Sequence, residues 1–153
     1  MVPHNLEKFI NQKHIKNNGV RKIQDLKVRD VMTKNPITIS PEDTVGHTLN
    51  IFEQSEVFSI PVLNKEEIVG IITKQDITTK MCTKSTTRQE EISYIMSKNP
   101  LTISPDEELI NALNIIKKTK TPAIIVAKDT KLVGILTIND ILRQYPTKST
   151  KTV

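Results

Sequence analysis

Tryptophan is absent from this 153-residue sequence, and aromatic residues make up only 3% of it. Any core must therefore be built from Ile, Leu and Val. Cys82 is the one cysteine, which excludes an internal disulfide framework and fits a reducing compartment. With no histidine near it in sequence, its thiol reads as a surface or helix residue and not as a nucleophile. The four glycines, Gly19, Gly46, Gly70 and Gly134, are isolated, so there is no Gly-rich phosphate loop. Long apolar runs are also missing. The longest, Ala123 to Ala127, has the length of a strand, well short of the roughly 18 residues a membrane span needs. The N-terminus lacks the basic and then apolar pattern of a signal peptide. These absences predict a cytoplasmic protein with no membrane association.

Catalytic constellations are equally scarce. His4, His14 and His47 show no metal-ligand spacing and have no cysteine cluster to join them, so no metal site is expected. The acid pairs Glu66-Glu67, Glu90-Glu91 and Glu107-Glu108 fall in turns, a linker and a helix start, where they read as solvated charge. An enzyme is not expected. The net charge of +5 sits at the ends: residues 1–30 carry +4 and residues 143–153 carry +3, while residues 31–142 carry −2. Basic ends of this kind suit contact with a polyanion, and solvated tails have the same composition.

What the chain does have is an internal repeat. A slide of 64 residues aligns 27–80 with 91–144 without a gap, and 19 of the 54 positions are identical, too many for coincidence. Met32-Thr-Lys-Asn-Pro-Ile-Thr-Ile-Ser-Pro41 matches Met96-Ser-Lys-Asn-Pro-Leu-Thr-Ile-Ser-Pro105, and Val69-Gly-Ile71 with Asp76-Ile77 matches Val133-Gly-Ile135 with Asp140-Ile141. The organisation predicted is an N-terminal extension (1–26), a first repeat (27–80), a polar linker (81–90), a second repeat (91–144) and a tail (145–153). The extension is expected to hold a short helix from Leu6 to His14 and a break at Asn17-Asn-Gly19. Pro146 ends the last helix, and 147–153 is expected to be disordered.

Each repeat reads as β-α-β-β-α. Ile37-Thr-Ile39 alternates as a short strand after Asn35-Pro36. Ser40-Pro41-Glu42-Asp43 and its twin Ser104-Pro105-Asp106-Glu107 carry N-cap signals and predict helix starts. Val45, Leu49 and Phe52 share one helical face, as do Leu109, Leu113 and Ile116. Ile60–Leu63 and Ile68–Ile72 form a hairpin around Asn64–Glu67; Ala123–Ala127 and Leu132–Leu136 repeat it around Lys128–Lys131. The runs 68–72 and 132–136 are apolar without alternation, which predicts sheets covered on both faces. A repeat of this size is marginal alone. The expected fold is therefore α/β (α+β), two repeats packed sheet to sheet with pseudo-two-fold symmetry.

The residues best placed for chemistry are Gly70-Ile-Ile-Thr-Lys-Gln-Asp76 and Gly134-Ile-Leu-Thr-Ile-Asn-Asp140. Thr-x-x-Asp after a strand is an ordinary helix cap. It also leaves free N–H groups for a phosphate, with a carboxylate that can accept from a ribose diol. At this point the order Met-x-x-x-Pro-Ile-Thr-Ile-x-Pro, an apolar helix, Ile60-Pro61-Val62 and Val-Gly-Ile-Ile-Thr-x-x-Asp-Ile resembles the CBS (cystathionine β-synthase) domain. The tandem pair resembles a Bateman module. The resemblance covers about 70% of the chain.

What the resemblance implies is a non-catalytic, ligand-sensing module with no obligatory cofactor. It would bind AMP, ADP or ATP, or alternatively S-adenosylmethionine, in clefts between the repeats. It would be a homodimer through helices, with regulation exerted on a protein partner in trans or through residues 1–26. One cleft would be lined by Ile37, Phe58, Ser59 and Pro61 on the base side, with Thr137, Asn139 and Asp140 on the ribose-phosphate side. The other would use Leu101, Pro122 and Ala123 with Thr73, Lys74 and Asp76. The chain departs from the family pattern at Ile125, where a proline is usual. The cleft holding Asp140 is expected to be the tighter, since Phe58 offers adenine an aromatic contact. Two rival readings stay open: a nucleic-acid-associated regulator using the basic termini, and a structural dimer with empty clefts.

Overall fold

The computed structural model describes residues 22–144. The helix expected at Leu6–His14, the break at Asn17-Asn-Gly19 and the tail after Pro146 lie outside them. In chain order the elements are a 3-10 turn (Ile23–Asp25), α1 (Val28–Val31), β1 (Thr33–Lys34), α2 (Val45–Gln54), β2 (Ser59–Asn64), β3 (Glu67–Thr73) and α3 (Lys74–Cys82). A second 3-10 turn (Ile92–Tyr94), β4 (Ser97–Lys98), β5 (Thr102–Ile103), α4 (Leu109–Thr119), β6 (Ala123–Lys128), β7 (Lys131–Thr137) and α5 (Ile138–Gln144) follow. The mixed α and β class and the paired hairpins follow the sequence reading.

The chain divides into two compact units, and each draws on both copies of the repeat. One unit holds the described residues 22–34, 102–128 and 133–144; the other holds Asn35–Leu101 and Asp129–Leu132. The first carries a sheet ordered β1-β7-β6-β5. In it β1 runs antiparallel to β7, with Thr33 opposite Ile135 and Lys34 opposite Gly134, and β5 runs parallel to β6. The second carries β2-β3-β4, in which β4 runs antiparallel to β3, with Lys98 opposite Gly70 and Ser97 opposite Ile71.

The same backbone hydrogen bonds recur at the 64-residue offset. In the first unit the N–H groups of Val28 and Arg29 donate to the carbonyls of Glu107 (2.9 Å) and Pro105 (3.0 Å), and Leu109 N–H donates to Leu26 (2.9 Å). In the second, Ile92 and Ser93 donate to Asp43 (2.8 Å) and Pro41 (3.0 Å), and Val45 donates to Glu90 (2.8 Å). The opening segment of each copy thus completes the unit built on the other copy's helix and hairpin.

These bonds displace both predicted helix starts. Ser40–Asp43 forms a turn, in which Ser40 N–H donates to the Asp43 carboxylate at 2.8 Å and Asp43 N–H to the Ser40 carbonyl at 3.0 Å. The carbonyls of Pro41 and Asp43 already accept from Ser93 and Ile92 and cannot enter a helical ladder. Helix α2 begins instead at Val45, capped by the Thr44 hydroxyl, which accepts from His47 N–H at 3.1 Å. Likewise α4 begins at Leu109, because Pro105 and Glu107 accept from Arg29 and Val28. In the first turn the Ser40 hydroxyl, and then Glu42's own backbone, hold the exposed Glu42 carboxyl below its usual range.

The strand expected at Ile37–Ile39 shrinks to one parallel bridge, Ile39 to Val62. Its counterpart in the second copy keeps two residues as β5. The two-residue strands β1 and β4 are exposed and polar, with no apolar alternation to announce them. The second hairpin turns at Asp129 and Thr130, both with positive φ (50° and 67°), the geometry a tight right-twisted hairpin requires.

Each unit has its own aliphatic core. Val28, Leu109, Ala112, Leu113, Ile116, Ile124, Val126 and Leu136 are fully buried in the first. Val45, Ile60, Val62, Ile72, Ile77 and Ile92 are fully buried in the second, where Phe52 is the one aromatic core residue. An eleven-residue helix such as α4 is marginal alone in water. Burial of Leu109, Leu113 and Ile116, worth roughly 1.5–3 kcal/mol each, drives it to form. The face predicted for it is the face buried. Coverage of β3 within its unit is uneven: Ile72 is fully buried, whereas Ile68, Val69 and Ile71 are only half-buried.

Gly70 and Gly134 let β4 and β1 lie against β3 and β7. A Cβ on Gly134 would come within 2.7 Å of Met32 Sδ and 2.8 Å of the Thr33 carbonyl oxygen; on Gly70 it would meet Met96 Sδ at 2.6 Å and the Ser97 oxygen at 2.9 Å. A methionine can swing aside, but a paired backbone carbonyl cannot without parting the strands. Gly70→Ala and Gly134→Ala should each cost about 1–3 kcal/mol by overpacking. Urea denaturation should show a lower midpoint at unchanged slope; an unchanged midpoint in both variants would contradict the close approach.

Candidate functional site

The two Thr-x-x-Asp corners stand where their strands end. In the second unit Thr73 closes β3 and caps α3, its hydroxyl accepting from Asp76 N–H at 3.0 Å. Ser59 lies opposite Thr73 in the ladder, and Lys74 N–H donates to the Phe58 carbonyl at 2.9 Å. The structure thereby gathers Phe58, Ser59, Thr73, Lys74 and Asp76 at one end of the β2–β3 pair. Phe58 is 59% exposed, a large apolar ring left in water. Asp76 is half-buried, and among the described residues no group donates to its carboxylate. Pro61 is buried farther along β2. Ile37 and Leu101, 42% and 43% exposed, also belong to this unit.

In the first unit Thr137 closes β7 and Asp140 lies in the first turn of α5. Asp140 is only 3% exposed, and its carboxylate is fully engaged. Oδ2 accepts from Thr137 N–H at 2.9 Å and from the Thr137 hydroxyl at 3.0 Å. Oδ1 accepts from the Thr33 hydroxyl at 2.8 Å and from the Arg143 guanidinium. Asp140 N–H returns to the Thr137 hydroxyl at 3.2 Å. Asn139 is exposed. Pro122 is exposed just before β6, and Ala123 opens that strand, buried.

Two residues at this corner were missed from sequence. Thr33 and Arg143 hold Asp140, whereas the equivalent positions of the other copy are Ser97 and Thr79, and neither bonds Asp76. The exchange of Arg143 for Thr79 was visible in the repeat alignment; the approach of Thr33 was not, because it depends on β1 pairing with β7.

Elsewhere the described residues hold no cluster of three or more His, Cys, Asp or Glu that could bind a metal, and no helix long and apolar enough to cross a membrane. Cys82 and His47 are exposed. The 81–90 segment is fastened to its unit. Arg88 accepts from Gly46 N–H at 2.9 Å through its carbonyl and donates to Asn50 Oδ1 at 3.1 Å through its guanidinium.

The chain belongs to the CBS-domain family, whose model matches residues 28–82 and 90–146. It is a tandem CBS pair, a Bateman module. An inosine-5'-monophosphate dehydrogenase of Methanocaldococcus jannaschii is 34% identical over 132 residues, covering 83% of this chain. The chain spans 26% of that relative's length and 41% of an uncharacterized protein of the same organism. Among solved structures, CBSX2 in complex with AMP matches with a TM-score of 0.67 and 25% identity, over 76% of this chain and 93% of that one. The CBS domain pair of protein MJ0100, in complex with 5'-methylthioadenosine and S-adenosyl-L-methionine, matches with a TM-score of 0.71 and 27% identity, over 77% and 94%.

The two aspartates should differ in what they do for the fold. Asp140→Ala removes the buried acceptor that Thr33, Thr137 and Arg143 share and should lower stability by roughly 1–3 kcal/mol. Asp76→Ala removes no such bond and should cost less than about 1 kcal/mol. Equal losses on urea denaturation would show that the Asp140 network carries no weight.

Proposed function

We propose that this chain is a non-catalytic sensor of an adenosine-containing ligand, with AMP, ADP or ATP favoured and S-adenosylmethionine the alternative. Membership of the CBS family supports it, as does the nature of the three compounds in the two matching complexes, all derivatives of adenosine. The observation that carries the reading is the corner at Thr73 and Asp76. It combines a carboxylate that no described residue engages, the ammonium-bearing Lys74 and the exposed Phe58 ring. A ribose diol can donate to the carboxylate, a phosphate can take the lysine, and an aromatic face can meet a base. Ile37, Ser59, Pro61, Leu101, Pro122, Ala123, Thr137, Asn139 and Asp140 complete the proposed binding set. The protein acts in the cytoplasm as a homodimer, and regulation is exerted on a partner protein.

A ligand that binds only the folded state raises the melting temperature by mass action. At a hundredfold excess over Kd the gain is about 2.7 kcal/mol. Calorimetric titration and thermal melts with AMP, ADP, ATP and S-adenosylmethionine should give heat and an upward shift with at least one of them. Silence with all four up to millimolar concentration overturns the reading. Asp76→Ala should weaken the binding it affects by about ten- to a hundred-fold, the worth of a hydrogen bond to a charged group. Sedimentation should give a species of twice the 17.3 kDa chain mass; a monomer at tens of micromolar would refute the dimer.

A further inference from the structure

The carboxylate of Asp140 offers about four lone-pair positions, and the structure fills all four. Thr137 takes two through its N–H and hydroxyl, and Arg143 and Thr33 take one each. A ligand diol that donates through both of its hydroxyls can reach this carboxylate only by displacing two of them. The Thr137 N–H is fixed by the backbone, and its hydroxyl is held on both sides, donating to Oδ2 and accepting from Asp140 N–H. Arg143 is 69% exposed, so its charge is already met by water, and its departure changes little. Thr33 is different. Its hydroxyl comes from a two-residue strand that pairs with β7 at only two positions, and the residue is itself exposed.

We propose that Thr33 is a latch on the Asp140 corner: its hydroxyl occupies the acceptor position that a ligand diol needs, so ligand binding there and the Thr33–Asp140 bond exclude one another. The inference rests on the functional reading above. It makes Thr33 a positioning residue that sets the affinity of one corner without belonging to it. Among the described residues the other corner has no such latch, since neither Ser97 nor Thr79 bonds Asp76. The latch also counts against the expectation that the Asp140 cleft is the tighter. It further gives the ligand a route to β1, because a diol that replaces Thr33 frees the hydroxyl tying that strand to α5.

The test uses the full chain and AMP, read by calorimetric titration. Asp76→Ala leaves the Asp140 corner as the one to be read, and Thr33→Val, which keeps the shape and removes the donor, is added to it. Thr33→Val should tighten AMP about tenfold in that background, and Thr33→Ser, which restores a hydroxyl, should return the affinity to its starting value. A role in folding alone would not produce a gain on removal and a reversal on replacement. Should Thr33→Val fold poorly, Thr33→Ala removes the same donor at this exposed position and carries the same expectation. An unchanged or weaker affinity without the hydroxyl overturns the latch while the functional reading stands, and weaker binding would make Thr33 a ligand contact. If no variant and no wild-type protein binds AMP, ATP or S-adenosylmethionine, the functional reading fails and the latch with it.

Discussion

The passage of one backbone over a glycine, Thr33 over Gly134 and Ser97 over Gly70, is the contact on which the rest of the structure depends. With a side chain at either position the short strand would stand off its neighbour. The hydrogen bonds at Val28 and Arg29, and at Ile92 and Ser93, belong to the segments that lead into these strands. Those bonds in turn fix where α2 and α4 begin, by engaging the carbonyls that precede them. They also bring the Thr33 hydroxyl to Asp140. Helix boundaries and the Asp140 corner are thus both reached through the two segments whose close approach the glycines admit.

Seen from the sequence, the strongest signals were those set by local periodicity. The apolar faces of α2 and α4, the hairpins and the Thr73 and Thr137 strand ends all depend on residues close together in the chain, and the repeat doubled each signal. The helix starts were misread for a reason that is not local. Ser-Pro-Glu-Asp has every mark of an N-terminus, yet its carbonyls at Pro41 and Asp43 accept from Ser93 and Ile92, far along the chain. Tertiary hydrogen bonding outweighed a capping preference worth about 1 kcal/mol. The strands β1 and β4 were invisible for the same reason: two polar residues have no pattern, and only their partners define them.

The candidate site was legible to a similar depth. Residue types and spacing were enough to point at Thr73, Asp76, Thr137 and Asp140. They could not show that one carboxylate is engaged by four donors and the other by none among the described residues. Near-identical sequence at two corners conceals a chemical difference, and that difference lies in their surroundings, at Thr33 and Arg143 against Ser97 and Thr79. A repeat alignment reports what was duplicated; divergence at the supporting positions reports what each copy has since become.

The crossed assembly of the units has a consequence for their history. Residues 91–144 alone lack Ile23, Leu26, Val28 and Val31, all of which line the core around α4. Residues 27–80 alone lack Ile92 and Ile95, which line the core around α2. A lone copy could close its core by accepting the opening segment of a second chain and lending its own in return. An ancestor with a single copy would on this account have been a reciprocal pair of chains, and fusion of the two genes would have turned that exchange between molecules into one within a molecule.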